Sequence, residues 1–174
     1  MNRFFTSIIT LGIVFGALVF LFGIRATENI DASFSAKFEY SPEYLFDFIT
    51  DVSKYPERKK DIESLEVLKR QGQKIVAWRE NYKNGTWLEY DLVQETYPKI
   101  FEIELVNSSN DHTALVKYSL GEIDGFTEII LTEKGKIEST FRRGLRSLSG
   151  DDSFLESQIK WLRVAIQTEQ INRP

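Results

Sequence analysis

A charged side chain turned into an apolar interior must pair, shift its protonation or meet a ligand. Hairpin register singles out two such charges, Arg79 and Glu133. Asn84-Gly85 is the preferred centre of a two-residue type I′ turn, and pairing Lys83 with Thr86 across it sets Arg79 opposite Tyr90 and Ala77 opposite Leu92. A tight turn at Tyr97-Pro98 then brings Leu92 to Ile103 and Tyr90 to Leu105, with Val93 opposite Glu102. Both turns choose the same inner face. The other face receives Glu80 opposite Glu89, Trp78 opposite Asp91 and Asp91 opposite Glu104. Like charges directly opposed cost energy, so that face is expected to be wet. Asp124-Gly125 sets Leu120 against Ile129, Tyr118 against Leu131 and Val116 against Glu133. Arg79 and Glu133 are therefore expected inside, as a structural ion pair or, on the second reading, as a general acid and base.

Other chemistries find little support. The 174 residues include no cysteine, which excludes disulfides, thiolate metal sites and thiol nucleophiles. The serines lie in no nucleophile-elbow pattern. The single histidine, His112, follows Asn110-Asp111 and reads as a solvated turn residue. No catalytic residue, metal site or cofactor is expected. Trp78, Tyr82 and Trp87 fall on the expected outer face, where aromatic rings meet a membrane surface or a partner, or are partly covered by loops. Asn84-Gly85-Thr86 and Asn107-Ser108-Ser109 match the glycosylation sequon at hairpin tips and matter only in a eukaryotic secretory setting.

The elements that must position these side chains follow in order. Ile30, Ala32, Phe34, Ala36 and Phe38 alternate with polar residues, the mark of a half-buried strand. Ser41 can cap a helix with Pro42 in its first turn, and Leu45, Phe48 and Ile49 share one face of it. Pro56 cannot continue that helix, so residues 52–60 read as a turn and a second short helix. From Ile62 onward, turns at Gln71-Gly72, Asn84-Gly85, Tyr97-Pro98, Ser108 to Asp111 and Asp124-Gly125 separate runs of strand length. A final helix starts at Asp152 or Ser153, with Glu156 completing a possible capping box. Its stripe of Leu155, Ile159, Leu162 and Ile166 is expected to cover the concave face of the sheet. Residues 136–149 carry no clear period.

Residues 4–24 contain no charge and would make roughly 31 Å of helix at 1.5 Å per residue, close to the apolar thickness of a bilayer. An uncleaved anchor is the preferred reading; a secretory signal ending near Ile24-Arg25-Ala26 is the alternative, disfavoured by the length of the run and by a start that carries only Arg3. Weak basic asymmetry favours the amino terminus inside and the folded part on the extracytoplasmic side. With Arg3 and Arg25 set aside, 20 basic residues face 26 acidic ones. That balance disfavours a nucleic-acid backbone as partner. Residues 1–29 are thus read as anchor and link, and 30–174 as one domain; 42% hydrophobic residues suffice to fill its core.

The segment Tyr40-Ser-Pro-Glu-Tyr-Leu-Phe-Asp-Phe-Ile-Thr-Asp-Val-Ser-Lys-Tyr-Pro-Glu57 resembles the opening of the START-like helix-grip superfamily (SRPBCC), which includes polyketide cyclase-like proteins and plant Bet v 1 allergens. The run Ile130-Leu-Thr-Glu-Lys-Gly-Lys-Ile137, followed by Phe141-Arg142 and a closing helix, is similar to the cyclase/dehydrase-like branch, and the opening segment also resembles the quinone-binding Coq10-like branch. The resemblance implies an α+β fold in which a seven-stranded antiparallel sheet grips a long C-terminal helix around a cavity for lipids, quinones or polyketide-like molecules. The membrane helix departs from most of the superfamily.

These readings converge on membrane-anchored binding or transfer of a hydrophobic small molecule. The expected wall is Tyr90, Leu92, Phe101, Ile103, Leu105, Tyr118 and Leu131, with Arg79 and Glu133 as inward charges and Leu155, Ile159 and Leu162 closing it from the helix. A cyclase or dehydrase on a polyketide-like substrate is the second reading. An anchored protein-interaction module with a filled core is the third.

Overall fold

Alternation is realised at once in β1 (Asn29–Phe38), where Ile30, Ala32 and Phe38 are buried and Asp31, Ser33 and Ser35 are exposed. The computed structural model of the protein describes residues 2–109 and 111–171, with side chains from residue 5 onward except that of residue 6; Asn110 lies outside the described residues. The helix before β1, α1 (Asn2–Arg25), is long and apolar enough to cross a membrane over Ser7–Arg25. After β1 come α2 (Pro42–Thr50), a single 3₁₀ turn at Val52–Lys54 and the short α3 (Tyr55–Arg58). Ser41 caps α2 as expected, its hydroxyl accepting from the Tyr44 amide at 3.3 Å with Pro42 in the first turn.

Six strands follow: β2 (Ile62–Gln71), β3 (Lys74–Tyr82), β4 (Trp87–Thr96), β5 (Ile100–Ser108), β6 (His112–Ile123) and β7 (Phe126–Ile137). With β1 they form one antiparallel sheet in the order β1-β7-β6-β5-β4-β3-β2. Two helices close the chain, α4 (Thr140–Ser149) and α5 (Ser153–Ile171). The α5 stripe of Leu155, Ile159, Leu162, Ala165 and Ile166 is buried in a single core with the inward residues of the sheet and the apolar face of α2. Removing that much apolar surface from water is the main force holding helix to sheet.

Register decides which side chains reach that core. Pairs across β4 and β5 match expectation, with Tyr90 opposite Leu105 and Leu92 opposite Ile103; a bulge after Leu92 then pairs Gln94, not Val93, with Glu102. The β6–β7 pairs Leu120–Ile129, Tyr118–Leu131 and Val116–Glu133 also match. The β3–β4 hairpin does not. Its loop has three residues, Lys83-Asn84-Gly85, because the Tyr82 amide donates to the Thr86 carbonyl at 2.8 Å and the Gly85 amide donates to the Tyr82 carbonyl at 2.9 Å. Gly85 takes the left-handed conformation that closes such a loop, at φ 82°. One extra loop residue turns every β3 side chain to the opposite face. Arg79 consequently faces Glu89, Trp78 faces Tyr90, and Glu80 lies inside rather than on a wet outer rung.

Residues 136–149, unreadable by period, form the end of β7 and α4. This helix packs against the last turns of α1 through two glycines. The Cβ position of Gly144 lies 1.9 Å from the Val19 carbonyl oxygen, and that of Gly23 lies 1.7 Å from the Thr140 carbonyl oxygen, so neither site has room for a side chain. Arg143 fixes the junction, its Nε donating to the Gly23 carbonyl at 3.2 Å and its Nη1 lying 3.2 Å from a Glu28 carboxylate oxygen. Gly144→Leu is expected to part α1 from α4, because its side chain would have to displace the Val19 backbone. Limited trypsin digestion of the full chain should then cleave after Arg25 faster than in the parent protein, with the β-sheet circular dichroism retained.

Candidate functional site

Two carboxylates stand inside the fold, and each has assembled its own partners. Glu80, on β3, is 2% exposed. The Tyr82 hydroxyl donates to its Oε2 at 2.6 Å and the Trp78 indole donates to its Oε1 at 3.4 Å. Lys59, at the end of α3, brings Nζ to 3.8 Å from Oε1. That ammonium lies 4.1 Å from the centre of the Tyr55 ring and 4.5 Å from that of Trp161, and donates to the Gln158 side chain of α5 at 3.5 Å. A buried charge pair is tolerable only with such additional contacts, because desolvation rivals the attraction. Burial lowers the pKa of Lys59, and Glu80 and Asp61 oppose that shift.

Four phenols surround this pair. Burial first, and the nearby Glu80 carboxylate among the other causes, raise the pKa of Tyr55, Tyr82, Tyr90 and Tyr118. Tyr55 donates to the Ile49 carbonyl at 2.7 Å and Tyr82 to Glu80. Among the described residues, no hydrogen bond engages the hydroxyls of Tyr90 and Tyr118, although the two residues are only 6% and 5% exposed. Tyr90 stacks on Trp78 with ring centres 5.5 Å apart, and Tyr118 lies against Phe101 at 6.0 Å. Trp78 and Phe101, with Leu92, form the inner wall of a 320 Å³ pocket that opens between the end of α2, the 3₁₀ turn and the β3–β4 strands. A Lys74–Glu95 ion pair of 2.8 Å stands at its mouth. The pocket therefore ends on the two rings that back onto the uncommitted phenols.

The second carboxylate is Glu133 on β7, fully buried. Its Oε2 accepts from Arg146 of α4 at 3.0 Å, and its Oε1 lies 3.2 Å from Nε2 of His112 without the alignment of a hydrogen bond. Glu133 is inward as expected, but its partner is Arg146. Arg79 is on the outer face, bonded to Glu89 and 3.4 Å from Glu66, so the expected Arg79–Glu133 pair does not exist. His112 is likewise no solvated turn residue: it starts β6 and turns its ring toward Glu133.

Of the other residues expected in the wall, Tyr90, Phe101, Ile103, Leu105, Tyr118, Leu131, Leu155, Ile159 and Leu162 are buried in the one core, and Leu92 is half-buried at the pocket. A larger groove of 650 Å³ lies outside α5, between it and the 3₁₀–α3 corner, floored by Trp161, Val164 and Ala165. It contains none of the expected wall residues. Trp161 separates this groove from Lys59.

No family model and no curated protein matches the sequence. Solved structures do. The chain superposes on an aromatase/cyclase titled Zhui from Streptomyces sp. R1128 with TM-score 0.59 at 12% identity, over 80% of this chain and 94% of that one. The di-domain ARO/CYC BexL from the BE-7585A biosynthetic pathway gives 0.62 at 10% identity, over 79% and 49%. A START superfamily protein from Mycobacterium smegmatis gives 0.55 at 12%, over 74% and 98%. The fold is the START-like helix grip. Within this grip, sequence reasoning missed Lys59, Trp78, Glu80 and Tyr82. The three β3 residues were assigned outward by the two-residue loop, and the signal that corrects them is Gly85, which serves as the third residue of a longer loop. Lys59 stands in the basic run Arg58-Lys59-Lys60, whose composition carries no local sign of burial.

Glu80→Gln should strand Lys59 and Lys59→Met should strand Glu80. Each is expected to cost about 3–5 kcal/mol, and the double variant less than their sum, measured by urea unfolding. The phenols give an alkaline signature. Their folded pKa values exceed the unfolded value of 10.0, so the stability they contribute is present below pH 10 and is lost as pH rises above it. In an absorbance titration of the folded protein, tyrosinate at pH 11 should account for at most three of the seven tyrosines, and the rest should ionise only on unfolding.

Proposed function

We propose that this protein binds a hydrophobic small molecule bearing oxygen functions within the helix grip, beside the membrane in which α1 is anchored. The observation that carries this reading is the pair of hydroxyls, Tyr90 and Tyr118, that no hydrogen bond among the described residues engages, on residues whose rings lie against Trp78 and Phe101 in the lining of a pocket that these two share with Leu92. Two phenol donors with no partner among the described residues suit carbonyl or hydroxyl oxygens on an otherwise apolar body. Ile103, Leu105, Leu131, Leu155, Ile159 and Leu162 belong to the same apolar core as Trp78 and Phe101. Quinones and polyketide-like molecules fit that description, as do lipids with a polar ring or ester. An amino-terminal helix long and apolar enough to cross a membrane supports this reading, since such molecules dissolve in a bilayer.

A cyclase- or dehydrase-type reaction is the second reading, favoured by the Tyr82–Glu80–Lys59 cluster, in which the Tyr82 hydroxyl donates to the Glu80 carboxylate at 2.6 Å and the Lys59 ammonium lies 3.8 Å from it. Two of the similar structures are the Zhui aromatase/cyclase and the ARO/CYC protein BexL. On this reading Glu80 is the base and a tyrosine the acid, and Glu80→Gln would abolish turnover without abolishing binding.

Native mass spectrometry of the full chain, released from its own membrane and followed by solvent extraction of the bound fraction, tests the proposal. A stoichiometric oxygen-bearing apolar adduct is expected. Tyr90→Phe with Tyr118→Phe should weaken its rebinding by roughly tenfold or more, since two hydrogen bonds contribute about 1 kcal/mol each. A chain that emerges empty, with a stable protein partner and an unchanged variant, overturns it in favour of an interaction module.

A further inference from the structure

Three faces of α4 are already distinguishable. Thr140 and Gly144 lie against α1. Arg143 and Arg146, three positions apart, turn toward the domain, where they bond to Glu138, Glu28 and the buried Glu133. Phe141, Leu145 and Leu148 recur at the i, i+4, i+7 spacing of a single face and are 44%, 41% and 49% exposed. That apolar face looks away from the domain. A ten-residue helix carrying three arginines and no acid has little reason to present a phenylalanine and two leucines to water.

The flanking surface says what covers it. The two contacts, Gly23 with Thr140 and Gly144 with Val19, show α4 running antiparallel alongside the last turns of α1. On either side of that seam α1 exposes Phe20 and Phe22, at 50% and 45%. The apolar face of α4 is thus continuous with the apolar surface of α1, whichever side it borders, and its charged side is directed toward the domain or the polar boundary. An amphipathic helix whose apolar side continues that of a span can seat that side in the acyl chains at the membrane boundary.

We propose that α4 is a second membrane-contacting element, seated about 5–10 Å into the headgroup–acyl boundary beside α1, with Phe141, Leu145 and Leu148 against lipid. It rests on the reading of α1 as a membrane anchor. Through Arg146 the inserted helix also holds Glu133, so the domain is fixed on the bilayer by a two-helix foot and not merely tethered by the link at residues 26–28.

The chain has no cysteine, so single spin labels can be placed on the full protein without background. Leu145→Cys and Leu148→Cys report on α4, Leu11→Cys on α1 and Val93→Cys on the exposed sheet; all four positions lie on the surface and leave the core intact. In phosphatidylcholine–phosphatidylglycerol nanodiscs, labels at 145 and 148 are expected to match the label at 11, with high collision with oxygen and loss of collision with a water-soluble nickel chelate. The label at 93 should show the reverse. Labels at 145 and 148 that behave like 93 while 11 remains lipid-exposed overturn the proposal and leave the anchor standing. Labels at 145 and 148 shielded from both reagents overturn it in favour of a second copy of the chain. A water-like label at 11 removes the anchor, and the proposal with it.

Discussion

The burial of Glu80 is the constraint on which the interior depends. An ionised carboxylate cannot remain in an apolar core unless its oxygens are occupied and its charge is balanced. Tyr82 and Trp78 come from the same strand, two residues to either side, and so reach it by the period of the strand alone. Lys59 comes from α3, and it is held in turn by Tyr55, Trp161 and Gln158. Satisfying one carboxylate therefore locks β3, α3 and α5 into a single arrangement. The aromatic stack of Trp78 on Tyr90 extends that arrangement to β4.

This network also sets the chemical character of the site. Surrounding rings are kept neutral by low polarity and by the negative charge beside them, so they persist as hydrogen-bond donors over the whole physiological range. Tyr55 and Tyr82 have used that capacity on the protein itself; Tyr90 and Tyr118 have not. An interior built only of leucine and isoleucine would hold apolar guests without orientation. Here Tyr90 and Tyr118 add two hydrogen-bond donors to that apolar lining.

How far the sequence could be read follows from the same physics. The order of elements, the caps of α2, the inward faces of β1 and β4 to β7 and the stripe of α5 all rest on periodicity and local turn chemistry, and the structure has them. The charged partners were less legible. Arg79 and Glu80 exchanged faces because Asn84-Gly85 serves both a two- and a three-residue loop, and only tertiary packing chooses between them. Arg146 as partner of Glu133 lay in a segment without period, and His112 looked like a turn because the strand it opens begins abruptly after a polar run. Pairing between residues far apart in sequence leaves no local trace, and both buried carboxylates depend on it.

Gly144 and Arg146 stand two positions apart on α4, yet they fasten it to different bodies, one to the apolar amino-terminal helix and one to the heart of β7. Fewer than three turns of helix offer no hinge between these attachments. Rolling or tilting α1 would draw the guanidinium away from Glu133 and leave a buried anion without its main counterweight. The orientation of the amino-terminal helix and the pairing of that carboxylate with Arg146 are thus coupled through one short, rigid helix.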